Sequence, residues 1–118
     1  MPQHQPFKLK ASLEVEKNGI CFLSSKRIEL LNRIHSSGSI LAASKEMRMS
    51  YQQAWTIVKD LNTQGSLPVV LRQRGGANGG GTVVTKYGQQ LLRIYAEMHM
   101  LHQEYLATLA NEKLNCGF

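Results

Sequence analysis

Acidic side chains are scarce in this sequence and unevenly placed. Eight Asp and Glu stand against fourteen Lys and Arg, a formal net charge of +6, and between Leu61 and Ala96 the cations Arg72, Arg74, Lys86 and Arg93 occur with no acid among them. Such a tract suits a phosphate backbone, because each neutralised phosphate releases condensed counterions. A solvated basic surface has the same composition, and charge alone does not decide between the two. Cysteine is also rare. Cys21 and Cys116 lie at opposite ends of the chain, which makes neither a disulfide framework nor a metal-ligand spacing, and both read as reduced thiols. No apolar run approaches the roughly 20 residues of a membrane-spanning helix, and the N-terminus has no apolar signal block, so a cytoplasmic protein is expected. At 118 residues there is room for one domain and one hydrophobic core.

What the sequence does have is a pair of helix starts in its middle. Ser39 and Ser50 both stand where an N-cap hydroxyl belongs. Behind Ser39, the residues Ile40, Ala42, Ala43 and Met47 recur at helical spacing; behind Ser50, Ala54, Trp55, Val58 and Leu61 form a second apolar stripe. Trp55 is assigned to that buried face. Tyr51, Gln52, Gln53, Thr56 and Lys59 are left on the other. A short helix followed by one with an exposed polar N-terminal end is a helix-turn-helix, whose second helix enters the DNA major groove.

Around this pair the chain falls into recognisable pieces. Residues 1–6 are expected to form a loose arm. From Phe7 to Val15 apolar and polar residues alternate, which predicts a half-buried strand; Asn18-Gly19 then signals a hairpin turn and Ile20 to Leu23 the returning strand. Ser24 or Ser25 caps a helix with the stripe Ile28, Leu31 and Ile34, and Gly38 ends it. His35 near that end reads as a helix C-terminal cation or an exposed polar residue, not as a metal ligand. After Gly65 and Pro68, the runs Val69–Arg74 and Thr82–Val84 flank a glycine-rich connection, a hairpin placed where a wing belongs, with Arg72 and Arg74 on one strand face. Thr85 caps a helix predicted to run from Lys86 to about Ala110, followed by a polar tail over 111–118.

In that last helix Tyr87, Leu91, Ile94, Met98, Leu101 and Tyr105 fall at intervals of four and three, a coiled-coil spacing. A second row, Leu92, Tyr95, Leu106 and Leu109, widens the apolar face. Homodimerisation through Leu91, Ile94, Tyr95, Met98, Leu101 and Tyr105 is therefore expected; cover by the chain's own hairpin and first helix is the competing reading. His99 and His102 share a helix face but lack a third fixed ligand, so no metal is assigned. The glycine-rich connection lacks the Gly-Lys-Ser/Thr ending of a P-loop and joins two strands, and no activated nucleophile or acid/base couple is legible, so no enzyme is expected.

The run from Arg27 to Trp55, with Gly-Ser-Ile, Ala-Ala, Met-Ser-Tyr and Ala-Trp in register, resembles the DNA-binding domain of the molybdate-responsive ModE transcriptional regulators. The later Arg-Gly-Gly-Ala-Asn-Gly-Gly-Gly and Thr-Lys-Tyr-Gly resemble that family's wing and following helix, and the likeness extends over residues 7 to about 110. More distantly, the helix pair is similar to that of LysR-type regulators. The resemblance implies a mainly α protein with small β elements: a winged helix-turn-helix with an N-terminal β-hairpin, a glycine-rich wing and a long dimerisation helix. It implies a dimeric transcriptional regulator of double-stranded DNA. The full-length regulators sense oxyanion through C-terminal domains for which these residues have no room. No cofactor and no direct binding of molybdate or tungstate is expected; an effector protein in trans is a candidate partner.

Residue by residue, Gln52 and Gln53 suit bidentate reading of adenine. Ser50, Tyr51, Thr56 and Lys59 suit phosphate or mixed contacts, with packing on the preceding helix as the alternative for Tyr51. Arg72 and Arg74 suit phosphate or minor-groove contacts. Asn78 and the glycines 75, 76, 79, 80 and 81 allow close backbone approach to DNA. A rival reading keeps the fold and removes the operator: a winged-helix interaction or architectural module that partners another regulator.

Overall fold

A computed structural model describes residues 5–73 and 81–118. The described order is β1 (Val15–Lys17), β2 (Ile20–Leu23), α1 (Ser25–Ser37), α2 (Ile40–Glu46), α3 (Tyr51–Gln64), β3 (Val70–Arg72), β4 (Thr82–Val84) and α4 (Lys86–Gly117). The strands form two antiparallel pairs, β1 with β2 and β3 with β4.

Local chemistry places most of the boundaries. Asn18 and Gly19 both adopt positive φ, 54° and 80°, as a tight hairpin turn with the sheet's own twist demands. The side chains of Ser24, Ser39, Ser50 and Thr85 accept from backbone N–H groups in the first turns of α1, α2, α3 and α4 respectively. Gly38 ends α1 at φ 71°, its N–H donating to Ile34 O. Between α2 and α3 the chain turns through Met47, Arg48 and Met49. Arg48 N donates to Lys45 O and Met49 N to Ser44 O, both at 3.0–3.1 Å, the two bonds of a Schellman motif, and Arg48 takes φ 55° to make them.

One expected strand is much shorter than the alternation suggests. Only Val15–Lys17 is extended and paired; Phe7 and Leu9 are exposed, and Leu13 and Val15 are the residues of the segment that reach the core. A strand needs a partner for its backbone groups, and β2 ends at Leu23 because Ser24 starts α1. In the opposite direction, α4 runs through Gly117, so residues expected as a polar tail form its last turns.

The core is built where α1, α2, α3 and the base of the wing meet. Leu30, Leu31 and Ile34 from α1, Ala43 from α2, Ala54, Val58 and Leu61 from α3, and Val69 and Val84 are almost fully buried. Alanines at 43 and 54 let the helix pair approach closely. Gly88 performs the same service for α4: a Cβ there would lie 2.6 Å from Val69 O and 2.7 Å from Val84 Cγ1. Leu91 and Tyr95 follow into the core, and the Tyr95 hydroxyl donates to Leu13 O at 2.8 Å and lies 3.1 Å from Ser25 Oγ.

Candidate nucleic-acid interface

The face of α3 opposite the core is Gln52, Thr56, Lys59 and Thr63, all exposed and within one arc at 100° per residue. Its flanks are tied down on both sides. On one side Asp60, the only carboxylate of α3, pairs with Arg27 Nη2 at 3.4 Å, while Arg27 Nη1 donates to Gln64 Oε1, Cys21 O and Phe22 O. Gln64 Nε2 in turn donates to Cys21 O at 2.9 Å, so the leading hairpin braces the C-terminal end of α3. That gives the hairpin a role the sequence did not disclose. The acid is thereby held at the flank, neutralised, and away from the outward arc.

On the other side sits the wing. Asn62 Oδ1 accepts from Val69 N at 2.7 Å and Val70 N at 2.9 Å, and its Nδ2 donates to Val70 O at 3.0 Å. Arg72 Nη2 donates to the Tyr51 hydroxyl at 3.2 Å, and its guanidinium carbon lies 4.4 Å from the Trp55 ring centroid. Trp55 is consequently only half-buried, packed on the core at one face, and not the fully buried residue the stripe implied. The reason is angular: at 100° per residue it stands between the buried stripe and the outward arc.

Gln53 is placed differently from its neighbour. Ser50 Oγ accepts from Gln53 N at 3.0 Å while Gln53 Oε1 accepts from Ser50 N at 3.2 Å, a complete capping box. Its oxygen is therefore engaged in the cap, with the Nε2 hydrogens left to offer outward, whereas neither end of the Gln52 carboxamide is bonded among the described residues. Ser50 is likewise occupied as a cap. The Thr56 hydroxyl donates to Gln52 O at 2.9 Å, which leaves its lone pairs and methyl group facing out. Lys59 is exposed.

Of the wing residues, Arg74, Gly75, Gly76, Asn78, Gly79 and Gly80 lie outside the described residues. Gly81 is at the wing's base, where its carbonyl accepts from Gln73 N at 2.8 Å and an added Cβ would lie 3.0 Å from Gly38 O. Its smallness serves that close approach. Thr82 N donates to Gly38 O at 2.9 Å, anchoring β4 to the α1–α2 turn.

The six residues expected at a subunit contact divide. Leu91 and Tyr95 are buried inside the chain, and Met98 is half-buried against the core, because the first turns of α4 pack on α1 and the wing base. Ile94, Leu101 and Tyr105 are 40%, 61% and 63% exposed. His99 stacks on the Tyr95 ring at 6.3 Å between centroids, and His102 is half-buried. Burial pushes the Cys21 thiol up, partly offset by the Arg27 charge, and its Sγ donates to Leu23 O at 3.7 Å. Among the described residues no three His, Cys, Asp or Glu side chains converge as metal ligands, and no helix is long and apolar enough to cross a membrane.

A short helix pair with a tight turn, a supporting helix behind it and a two-stranded hairpin after it define a winged helix-turn-helix domain. Solved structures of the same fold include ArgP from Mycobacterium tuberculosis, with a TM-score of 0.53 and 24% identity over 70% of this chain and 29% of that one. Another is FabT from Streptococcus pneumoniae in complex with DNA, at TM-score 0.53 and 19% identity over 73% of this chain and 61% of that one. No protein-family model matches the chain. Among the relatives to which it is similar are ModE transcriptional regulators, and it matches their N-terminal part. It is 32% identical over 102 residues to the transcriptional regulator ModE of Haemophilus influenzae, covering 86% of this chain and 40% of the relative. Identity is 39% over 93 residues to the molybdenum transport protein ModE of Azotobacter vinelandii, covering 79% and 34%. It is 35% over 91 residues to the DNA-binding transcriptional dual regulator ModE of Escherichia coli K12, covering 77% and 35%. The chain thus spans between a third and two-fifths of the length of these relatives.

Proposed function

We propose that this chain is a cytoplasmic, sequence-specific transcriptional regulator that binds double-stranded DNA as a homodimer. The observation that carries the reading is the outward arc of α3, where Gln52, Thr56 and Lys59 stand free of acid between two braced flanks. In the major groove, Gln52 reads a base edge, Thr56 offers an acceptor or a methyl contact, and Lys59 meets a phosphate. The wing, with Arg72, Arg74 and the glycines 75, 76, 79, 80 and 81 around Asn78, lies on the backbone or in the minor groove. The ModE relatives, one of them a DNA-binding transcriptional dual regulator, support the same activity.

What supports the dimer is α4. Its 32 residues extend about 48 Å at 1.5 Å per residue, and the molecule measures 60 × 30 × 22 Å, so the helix projects well past the core. Ile94, Leu101 and Tyr105 on the projecting face supply the seam. Two α3 helices on one side of a duplex would then meet half-sites about 34 Å apart or a multiple of it.

Selection from a pool of randomised duplexes, read by sequencing, tests the whole reading. Enrichment of a two-fold symmetric motif is the expected result. Salt-sensitive binding without enrichment would reject the sequence-specific part, and absence of duplex binding at low salt would leave the interaction-module reading in its place.

A further inference from the structure

Arg72 does not stand out on the wing as its sequence position suggests; it lies back against α3. Its guanidinium carbon is 4.4 Å from the Trp55 ring centroid, and its Nη2 donates to the Tyr51 hydroxyl at 3.2 Å. The two rings meet edge to face, 6.4 Å between centroids and 78° between planes. Tyr51 and Trp55 are four residues apart, one helical turn, so they form a single strip along the wing-side flank. Nε and Nη1 have no protein partner among the described residues and Nη2 keeps its second hydrogen, so a pair of parallel N–H donors is still available, and the Arg72 side chain is exposed. A planar, always-charged fork stacked on an aromatic face and held at one corner has lost the rotamer freedom that an exposed arginine ordinarily keeps.

Its position says what it meets. Tyr51 and Trp55 lie about 100° round the helix from Gln52 and Thr56 at 100° per residue. A helix lying in the major groove turns its outward line to the base edges and its flanks to the sugar-phosphate walls. A cation held on the flank therefore faces backbone. Phosphate offers two oxygens to a fork, and bidentate Arg–phosphate pairs are among the strong hydrogen bonds. The Tyr51 hydroxyl, expected to touch DNA itself, accepts from Arg72.

Resting on the DNA-binding reading, we propose that Tyr51 and Trp55 are positioning residues that hold Arg72 against the flank of α3, where Arg72 grips one backbone phosphate of the bound duplex.

Fluorescence anisotropy of the full chain with a selected operator and a scrambled duplex, across a salt series, tests this. Arg72→Ala should weaken both duplexes by the same factor and lower the log–log salt slope by about 0.9, the contribution of one phosphate. Trp55→Leu, checked for folding by circular dichroism, should weaken both duplexes although no charge is removed, and the double variant should be no worse than Arg72→Ala alone. Arg72→Lys, which keeps the charge and loses the fork, should recover only part of the affinity. Where Trp55→Leu fails to fold, Tyr51→Phe replaces it, with a loss expected in the native background and none in Arg72→Ala. Additive losses, or a loss confined to the operator, would overturn the proposal. A native chain that binds neither duplex overturns the DNA-binding reading itself, and that result is read before any variant is made.

Discussion

Asn62 on α3 bonds both backbone groups of Val70 on β3, accepting from its N–H at 2.9 Å and donating to its carbonyl at 3.0 Å, and it takes the Val69 N–H as well. One carboxamide thus behaves as the neighbouring strand that β3 lacks on its outer edge. It also ties the wing to α3, beside the contact of Arg72 with Tyr51 and Trp55. Asn62→Ala leaves the N–H groups of the buried Val69 and Val70 and a carbonyl without that partner. A loss of about 1–3 kcal/mol is expected, read by urea denaturation. A loss below about 0.5 kcal/mol would mean that water replaces the carboxamide without strain.

Gly88 supplies a test in which two effects oppose. Alanine is favoured over glycine in a helix by about 1 kcal/mol. Its Cβ, however, would stand 2.6 Å from Val69 O and 2.7 Å from Val84 Cγ1, both fixed by the wing base. Overpacking of that kind costs about 1–3 kcal/mol, and a backbone oxygen cannot rotate away. Gly88→Ala should therefore lower the midpoint of thermal unfolding; a rise would show that α4 can shift outward freely.

The turn between α2 and α3 carries the opposite opportunity. Arg48 adopts φ 55° to complete the turn, a region in which a Cβ is crowded. Arg48→Gly should raise stability by about 0.5–1 kcal/mol, the relief exceeding the added unfolded-state entropy, and Arg48→Val should lower it. Chemical denaturation of both variants checks the sign. A destabilised glycine variant would mean that the Arg48 side chain contributes a contact of its own.

Gln53 separates helix capping from DNA contact. Gln53→Glu keeps the oxygen that accepts from Ser50 N and places a negative charge at a helix N-terminus, where it is favoured by about 0.3–1 kcal/mol. Folding stability should hold or rise. The same change removes the outward Nε2 donors and adds a charge that DNA repels, so affinity should fall. Gln52→Ala should instead relax preference at one base pair, by about 1–3 kcal/mol, with capping intact. Binding by Gln53→Glu equal to that of the native chain would restrict Gln53 to its capping role.

What was legible in the sequence was the chemistry that acts over a few residues. The hydroxyls of Ser39, Ser50 and Thr85, the turn at Asn18-Gly19 and the stop at Gly38 each answer to a local demand of the backbone, and each is found where its type predicted. The alternation from Phe7 to Val15 misled because a strand is defined by its partner, and β2 runs out at Leu23. Asn62, Gly88 and the stack of Arg72 on Trp55 were invisible for the same reason: each acquires its meaning from residues of another element. Period and spacing on α4 likewise marked an apolar face without saying which half the chain itself covers.

That division of α4 yields the last expectation. Leu91 and Tyr95 belong to the subunit core, whereas Leu101 and Tyr105 are more than half exposed on the projecting part of the helix. Leu101→Glu should place a charge in the seam of a dimer and leave the buried core untouched. Sedimentation of the native chain at micromolar concentration should show dimers, and of Leu101→Glu monomers, with little change in the unfolding of the monomer. Tyr95→Phe should do the reverse, because it removes the hydroxyl bonded to Leu13 O and adjacent to Ser25 Oγ. A loss of about 1–2 kcal/mol with the dimer intact is the expected outcome. If Leu101→Glu sediments as the native chain does, the exposed face of α4 is not the seam.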